Sequence, residues 1–355
     1  MMREATNTNI TFMIGNGFDL KMGLKSKYSD IYNVYTDDSN RTDTTIFENF
    51  KDVLRKDSPK YENWSDFEKA MGEHAKDFEN QSDYVECIRD FRKTMQKCLS
   101  KEQEDFQKKF SKMNKEELYK VLNNSLYNFY DLETQNTINA IEKMKNEGNR
   151  FQFSFLNFNY TNVLDTFIEY FKEINRKYSV DIFKNSIHVH GTLDDNIVLG
   201  VDNEGQLNAK FEISDSVRRT FVKPFFNENT DIQKIQTAKF IINSSNIICV
   251  YGMSLGDTDQ TWKKLIVKWL LDDDSHLLFY FKYPPSDIPK QYRDEILDKE
   301  DELKDELIDI LKTDDHKDLT PVINQIHIPV IKDLFDISYV SLIYDSEEVT
   351  GKSKR

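Results

Sequence analysis

The clearest pattern in the chain is a repeated switch from a short apolar run to a polar turn and then to helical spacing. Ile10, Phe12 and Ile14, with Met13 between them, form the first run, which ends at Gly15-Asn16-Gly17. A run of that length bounded by glycines predicts a strand buried on both faces. Leu20, Met22 and Leu24 then predict a helix start. The second unit is residues 151–159 (FQFSFLNFN), followed by Tyr160, Thr161 and Asn162 and the helical stretch VLDTFIEYFKEINRKY, which Thr161 or Asn162 is placed to cap. A third strand at residues 186–189 ends in His188-Val189-His190-Gly191, where the histidines, two apart, share one face. The fourth, at residues 246–250, runs into Tyr251-Gly252-Met253-Ser254-Leu255-Gly256-Asp257 and precedes a helix carrying Trp262, Ile266 and Trp269. Residues 276–281 (HLLFYF) give a fifth.

The intervening segments are less regular. NIVLGVDNEG predicts a short strand, residues 221–226 a loop and residues 230–242 a helix; KEDELKDELIDILKTDD is an acidic amphipathic helix and residues 337–344 a last strand. From residue 28 to residue 149 apolar positions recur every three or four, as in Trp64, Phe67 and Met71, with only Gly72 and Gly148 interrupting. Asn63 or Ser65 is the predicted N-cap there. The pattern as a whole predicts an α/β fold with a Rossmann-like, mainly parallel doubly wound sheet and a large helical insertion. Residues 1–28 and 150–345 make the nucleotide-binding domain, residues 29–149 the helical insertion or cap, and residues 346–355 a flexible tail.

Composition narrows the partners. The 48 basic and 62 acidic residues leave a net charge of −14, which disfavours nucleic acid as a partner. No apolar run approaches the roughly 20 residues that span a membrane, and the first residues, MMREATNTN, have no signal-peptide core. Cys87, Cys98 and Cys249 are odd in number, with no CxxC spacing, and read as reduced thiols of a cytoplasmic protein. The oligomeric state is left open, a homo-oligomer included.

In a doubly wound sheet ligands bind at the carboxyl ends of the strands. That rule brings Gly15–Asp19, residues 157–162, His188 and His190, and residues 252–257 to one rim. A glycine turn between a strand and a helix is a common cradle for phosphate, so the backbone N–H groups of Gly15, Asn16, Gly17 and Phe18 are candidate anion ligands. A dinucleotide GxGxxG fingerprint needs glycine at position 20, where this chain has Leu20, so hydride-transfer chemistry is disfavoured. Asp19 can hold a ribose hydroxyl or serve as an N-cap. Asn159 can orient water or cap the next helix. His190 can take a proton. Ser254 fits a sugar contact. Asp257 and Asp259 are placed to cap the Trp262 helix, with Asp257 within reach of a ligand. Glu68 reads as a helix-surface residue or as a contact from the cap to the site. His188, His190 and Asp202 could in principle hold a metal, but no metal is expected.

IGNGFDLKMGLKSKYSD, LNFNYTNVLD, IHVHG and YGMSLGDTDQTW, in that order and with the Trp64–Glu68 pair, resemble the motifs of the bacteriophage abortive-infection AbiH family. A more distant likeness is to sirtuins: Gly15, Gly17, Gly23 and Leu24 fall at the offsets of their GAGxSxxxGIP, NFNYT at their TQNID, His190-Gly191 at their catalytic HG pair and Gly252-Met253-Ser254 at their GTS turn. Asp19 replaces the serine, and the CxxC zinc module is absent. The resemblance implies an antiphage effector that uses NAD as a substrate, not acetyl-lysine deacylation. Asn159 and His190 would be catalytic, and Gly15–Asp19, Tyr160, Gly252, Ser254 and Asp257 would bind the dinucleotide. The trigger, phage-derived or host, is not given by the sequence. A nucleotide or ADP-ribose sensor signalling to a partner is the alternative, and a nuclease-type toxin a weaker one.

Overall fold

The computed structural model describes residues 7–37, 44–57, 64–148, 150–176, 179–316 and 318–343. The predicted tail and the Asn63 cap lie outside them. Its centre is a six-stranded sheet, parallel throughout, in the order β3-β2-β1-β4-β5-β6. The strands are β1 (Thr8–Ile14), β2 (Phe151–Asn157), β3 (Ile182–His188), β4 (Ile247–Tyr251), β5 (Leu277–Phe281) and β6 (Ile326–His327). This is the Rossmann-like doubly wound arrangement that alternating strands and helices predict.

Alternation along β1 explains how one strand serves two cores. Ile10, Phe12 and Ile14 point into a cluster with Phe153, Phe155, Leu118, Leu122, Phe167 and Phe129. Met13 points the other way, into a cluster with Leu156, Val250, Trp262, Ile266 and Trp269. Phe12 meets Phe155 stacked at 5.9 Å and Phe129 edge-on at 6.0 Å, separations at which ring pairs add to the gain from burial. Thr11 shares the second face and joins Ser245 through a buried hydroxyl pair 2.6 Å apart.

The helices divide accordingly. The segment between β1 and β2 holds α1 (Asn16–Lys21), α2 (Tyr28–Thr36), α3 (Thr45–Asp57), α4 (Trp64–Glu73), α5 (Gln81–Lys112), α6 (Lys115–Tyr127) and α7 (Gln135–Gly148). Its first half, from Tyr28 to Leu99, forms a third core together with Leu193, Leu199, Val201, Val217 and Phe221 from beyond β3. Its second half lays Phe106, Leu118, Leu122 and Ile141 on the sheet. The later helices are α8 (Val163–Asn175), α9 (Asp215–Phe221), α10 (Lys223–Thr230), α11 (Ile232–Asn243), α12 (Gln260–Asp272) and α13 (Arg293–Leu311). None of the described helices is long and apolar enough to cross a membrane.

Three local expectations are corrected. Residues 337–343 are not a strand: Asp336 caps a 3-10 turn at Ile337–Tyr339, and only Leu342 makes a bridge, antiparallel to Met113. The sixth strand is instead Ile326–His327, two residues and too short to show in a periodicity. NIVLGVDNEG forms no strand either, only a bridge between Val201 and Val222. The predicted loop at residues 221–226 is the end of α9 and the start of α10, where Pro224 opens the helix, a position at which proline is favoured.

Candidate functional site

The parallel register ends four strands together. Ile14 pairs with Asn157 on one side and Tyr251 on the other, and Asn157 pairs with His188. The turns leaving β1, β2, β3 and β4 therefore meet at one edge, on both sides of the β1/β4 switch point where such sheets open a crevice.

The glycines at this edge serve each other. Gly15 N–H donates to Tyr251 O (2.9 Å) and Gly17 N–H to Gly252 O (2.8 Å), and Phe18 N–H returns to Gly15 O (3.0 Å). A Cβ on Gly17 would lie 2.5 Å from Gly252 Cα, and one on Gly15 2.5 Å from Met253 Cβ. Gly252 itself has φ +69°, a conformation glycine adopts without strain. The close approach that the Gly15-Asn16-Gly17 pattern announces is thus to the turn after β4. Of the four N–H groups proposed as anion ligands, only that of Asn16 has no hydrogen bond to a described residue. The Asn16 side chain is tied to Ser26, donating to its carbonyl (2.9 Å) and accepting from its hydroxyl (2.6 Å).

Beside the glycines lies a buried carboxyl. Gly15, with no side-chain cap, holds the N-cap position of α1, so Asp19 does not act as a cap. It accepts from Thr161 Oγ1 (2.7 Å) and from Asn159 Nδ2 (3.3 Å). Burial raises its pKa from 3.8 to about 7, against the lowering effect of the Thr161 hydroxyl. Asn159 Nδ2 also donates to Gly15 O (3.1 Å), while Asn159 Oδ1 makes no hydrogen bond to a described residue. Asn162 occupies the predicted N-cap position of α8, but its Oδ1 accepts from Gln107 Nε2 (3.2 Å) and makes no cap bond, while Thr161 is turned to Asp19. His188 is fully engaged, Nδ1 with Asn159 O (3.0 Å) and Nε2 with Asp165 Oδ2 (2.8 Å).

The far wall is ionic. Lys223, only 5% exposed, extends its ammonium to Glu68 Oε2 (2.8 Å), Thr258 O (3.2 Å) and Asp259 Oδ1 (3.2 Å). Glu68 reaches in from α4 and also accepts from Gly200 N–H (3.0 Å). Asp259 Oδ1 lies 3.4 Å from His190 Nε2. Burial alone would raise the Asp259 carboxyl, but Lys223 and His190 hold it well below the usual range. Burial would lower the Lys223 ammonium, and the two carboxylates hold it above the usual range. Glu68 is shifted upward because burial outweighs its lysine. Asp259 sits at the N-cap of α12 without a side-chain cap bond. Asp202 takes that role instead, accepting from Thr261 N–H (3.1 Å).

These groups surround a cleft of about 400 Å³. Of the residues proposed from sequence, Gly15, Asn16, Gly17 and Asp19 line it, as do Asn159, Tyr160 and His190 and, from the β4 turn, Gly252 and Ser254. Two do not. Phe18 packs inward between Phe167 (5.8 Å) and Phe335 (5.2 Å), and Asp257 pairs with Lys69 of α4 at 2.9 Å on the outside. Sequence reasoning missed Lys223 and the placement of Asp259 beside His190; a lone lysine ahead of Pro224 gave no signal. Lys27, Lys282 and Tyr283 also line the cleft. His188, His190 and Asp202 do not form a metal site; among the described residues no cluster of three His, Cys, Asp or Glu side chains could hold one.

Comparison with family models matches residues 11–281 to the family described as bacteriophage abortive infection AbiH. That span runs from β1 to the end of β5 and contains every cleft residue named above except Lys282 and Tyr283. No curated protein matches the chain.

Proposed function

We propose, from the premise that the chain belongs to the bacteriophage abortive infection AbiH family, that its cleft binds NAD and hydrolyses it to nicotinamide and ADP-ribose once triggered. The observation that carries this reading is the convergence of Asn159, His190 and Asp19 on one cleft at the β1/β4 switch point. The distant sirtuin likeness supports the same choice of substrate. In the reaction a water oxygen bonds to the ribose C1′, and the C1′–N bond breaks with its electron pair going to the nicotinamide nitrogen. The proton of the water goes to a base. Asn159 Oδ1 is available to accept from that water, its amide nitrogen being fixed on Gly15 and Asp19. His190 is the base. With Gly15, Gly17 and Phe18 N–H already used, the diphosphate charge would be met by Asn16 N–H and the rim ammonium groups of Lys27 and Lys282.

The test is incubation of purified protein with NAD, alone and with phage lysate, following nicotinamide and ADP-ribose. Turnover that Asn159→Ala and His190→Ala each reduce on the order of 100-fold or more is expected, with loss of phage restriction by the same variants. Tight NAD or ADP-ribose binding without turnover would transfer the cleft to sensing. No binding and no turnover, with restriction intact in both variants, would end the proposal.

A further inference from the structure

The two nitrogens of the His190 ring have different surroundings. Nε2 is buried 3.4 Å from Asp259 Oδ1. Nδ1 makes no hydrogen bond to a described residue and is the nitrogen left to face the cleft that the ring lines. Phe158 holds the ring edge-on at 5.3 Å and Tyr160 lies 6.4 Å away. A base working from Nδ1 must carry its resting proton on Nε2, and a carboxylate next to Nε2 stabilises that tautomer and the imidazolium formed from it. A separation of 3.4 Å is long for a formed hydrogen bond, but such contacts tighten when the ligand binds.

Asp259 is not free to swing away. The same Oδ1 accepts from Lys223, and Lys223 is anchored by Glu68 and by Thr258 O. The charged and titratable groups on this side of His190 include Asp259, Lys223, Glu68 and Asp202, with the Tyr160 ring 6.4 Å from the imidazole.

We infer that Asp259 is a positioning residue that fixes His190 with its proton on Nε2 and its Nδ1 lone pair toward the cleft, and that Lys223, held by Glu68 from α4, keeps Asp259 in place. The catalytic consequence rests on the proposed hydrolysis; the tautomer does not. During the step the water proton moves to His190 Nδ1, and Asp259 stays ionised beside the imidazolium.

The test uses the full chain, labelled with ¹⁵N in its histidine rings, with His190→Gln to assign the signal. The neutral ring of the wild type is expected to carry its proton on Nε2. Asp259→Asn/Lys223→Met, in which no ammonium claims the amide oxygen and the amide can donate to Nε2, is expected to move the proton to Nδ1 and to lower kcat for NAD on the order of 100-fold with KM within about twofold. Asp259→Glu is expected to restore part of both. A wild-type ring protonated on Nδ1, or a tautomer unchanged in Asp259→Asn/Lys223→Met, would overturn the inference. Should the wild type not hydrolyse NAD, the functional proposal falls while the tautomer still decides this one. Should that double variant fail to fold, the wild-type tautomer alone decides it.

Discussion

Two stretches of the cleft wall are built by opposite means. On one side Gly15, Gly17 and Gly252 bring backbone against backbone, with contacts too close for any side chain. On the other, Glu68, Lys223 and Asp259 bring charge against charge from three separate elements. The glycine side gets its rigidity from the absence of atoms, the ionic side from the pairing of groups that burial alone would neutralise. A steric wall tolerates changes of pH and not of residue; an ionic wall depends on both.

Four substitutions test that contrast. Gly252→Ala carries the largest expected cost, about 5 kcal/mol, combining a left-handed φ of +69° with a Cβ 2.7 Å from Gly17 Cα, where neither backbone can yield. Urea unfolding measures it, and a loss under about 1 kcal/mol would mean that the two turns are not locked together. Lys223→Met takes the ammonium away from buried Glu68 and partly buried Asp259 and is expected to cost about 4 kcal/mol. Adding Glu68→Gln should recover part of it, and strict additivity would refute the coupling.

Asp19 gives a smaller, pH-dependent effect. Its carboxyl binds protons more tightly folded than unfolded, so its contribution is fully present below about pH 4 and is lost as pH rises through about 7. Between pH 5 and pH 7 the wild type should lose about 2 kcal/mol relative to Asp19→Asn, read from paired denaturation curves. A parallel pair of curves would place the Asp19 titration outside that window. The smallest effect belongs to Asp257→Ala. The Asp257–Lys69 pair is half exposed on both sides, and thermal unfolding should report about 0.5 kcal/mol or less.

The same contrast sets what the sequence discloses. β1, β2, β4 and β5 are legible because each is a short apolar-rich or alternating run, and the glycine side of the site follows because its residues lie within a few positions of those runs. The ionic side is different. Glu68 and Lys223 are 155 residues apart and Lys223 and Asp259 a further 36, and no local pattern marks a lysine that becomes buried only when α4 and α10 pack together. Asp19 shows a related limit. An aspartate at a helix start suggests a cap, and only the packing of Thr161 and Asn159 around it turns it into a buried acid. β6 was hidden for a simpler reason, since two residues carry no period.

The place of β1 in the sheet bears on how the chain is made. Its partners are β2, which begins at Phe151, and β4, which begins at Ile247. At about 5–20 residues per second of synthesis, β1 waits on the order of ten seconds or more for the first of these partners. An unpaired strand of this kind can template its own association with another chain, so the nascent protein passes through an interval in which TNITFMI must be shielded by the growing helices or by a chaperone.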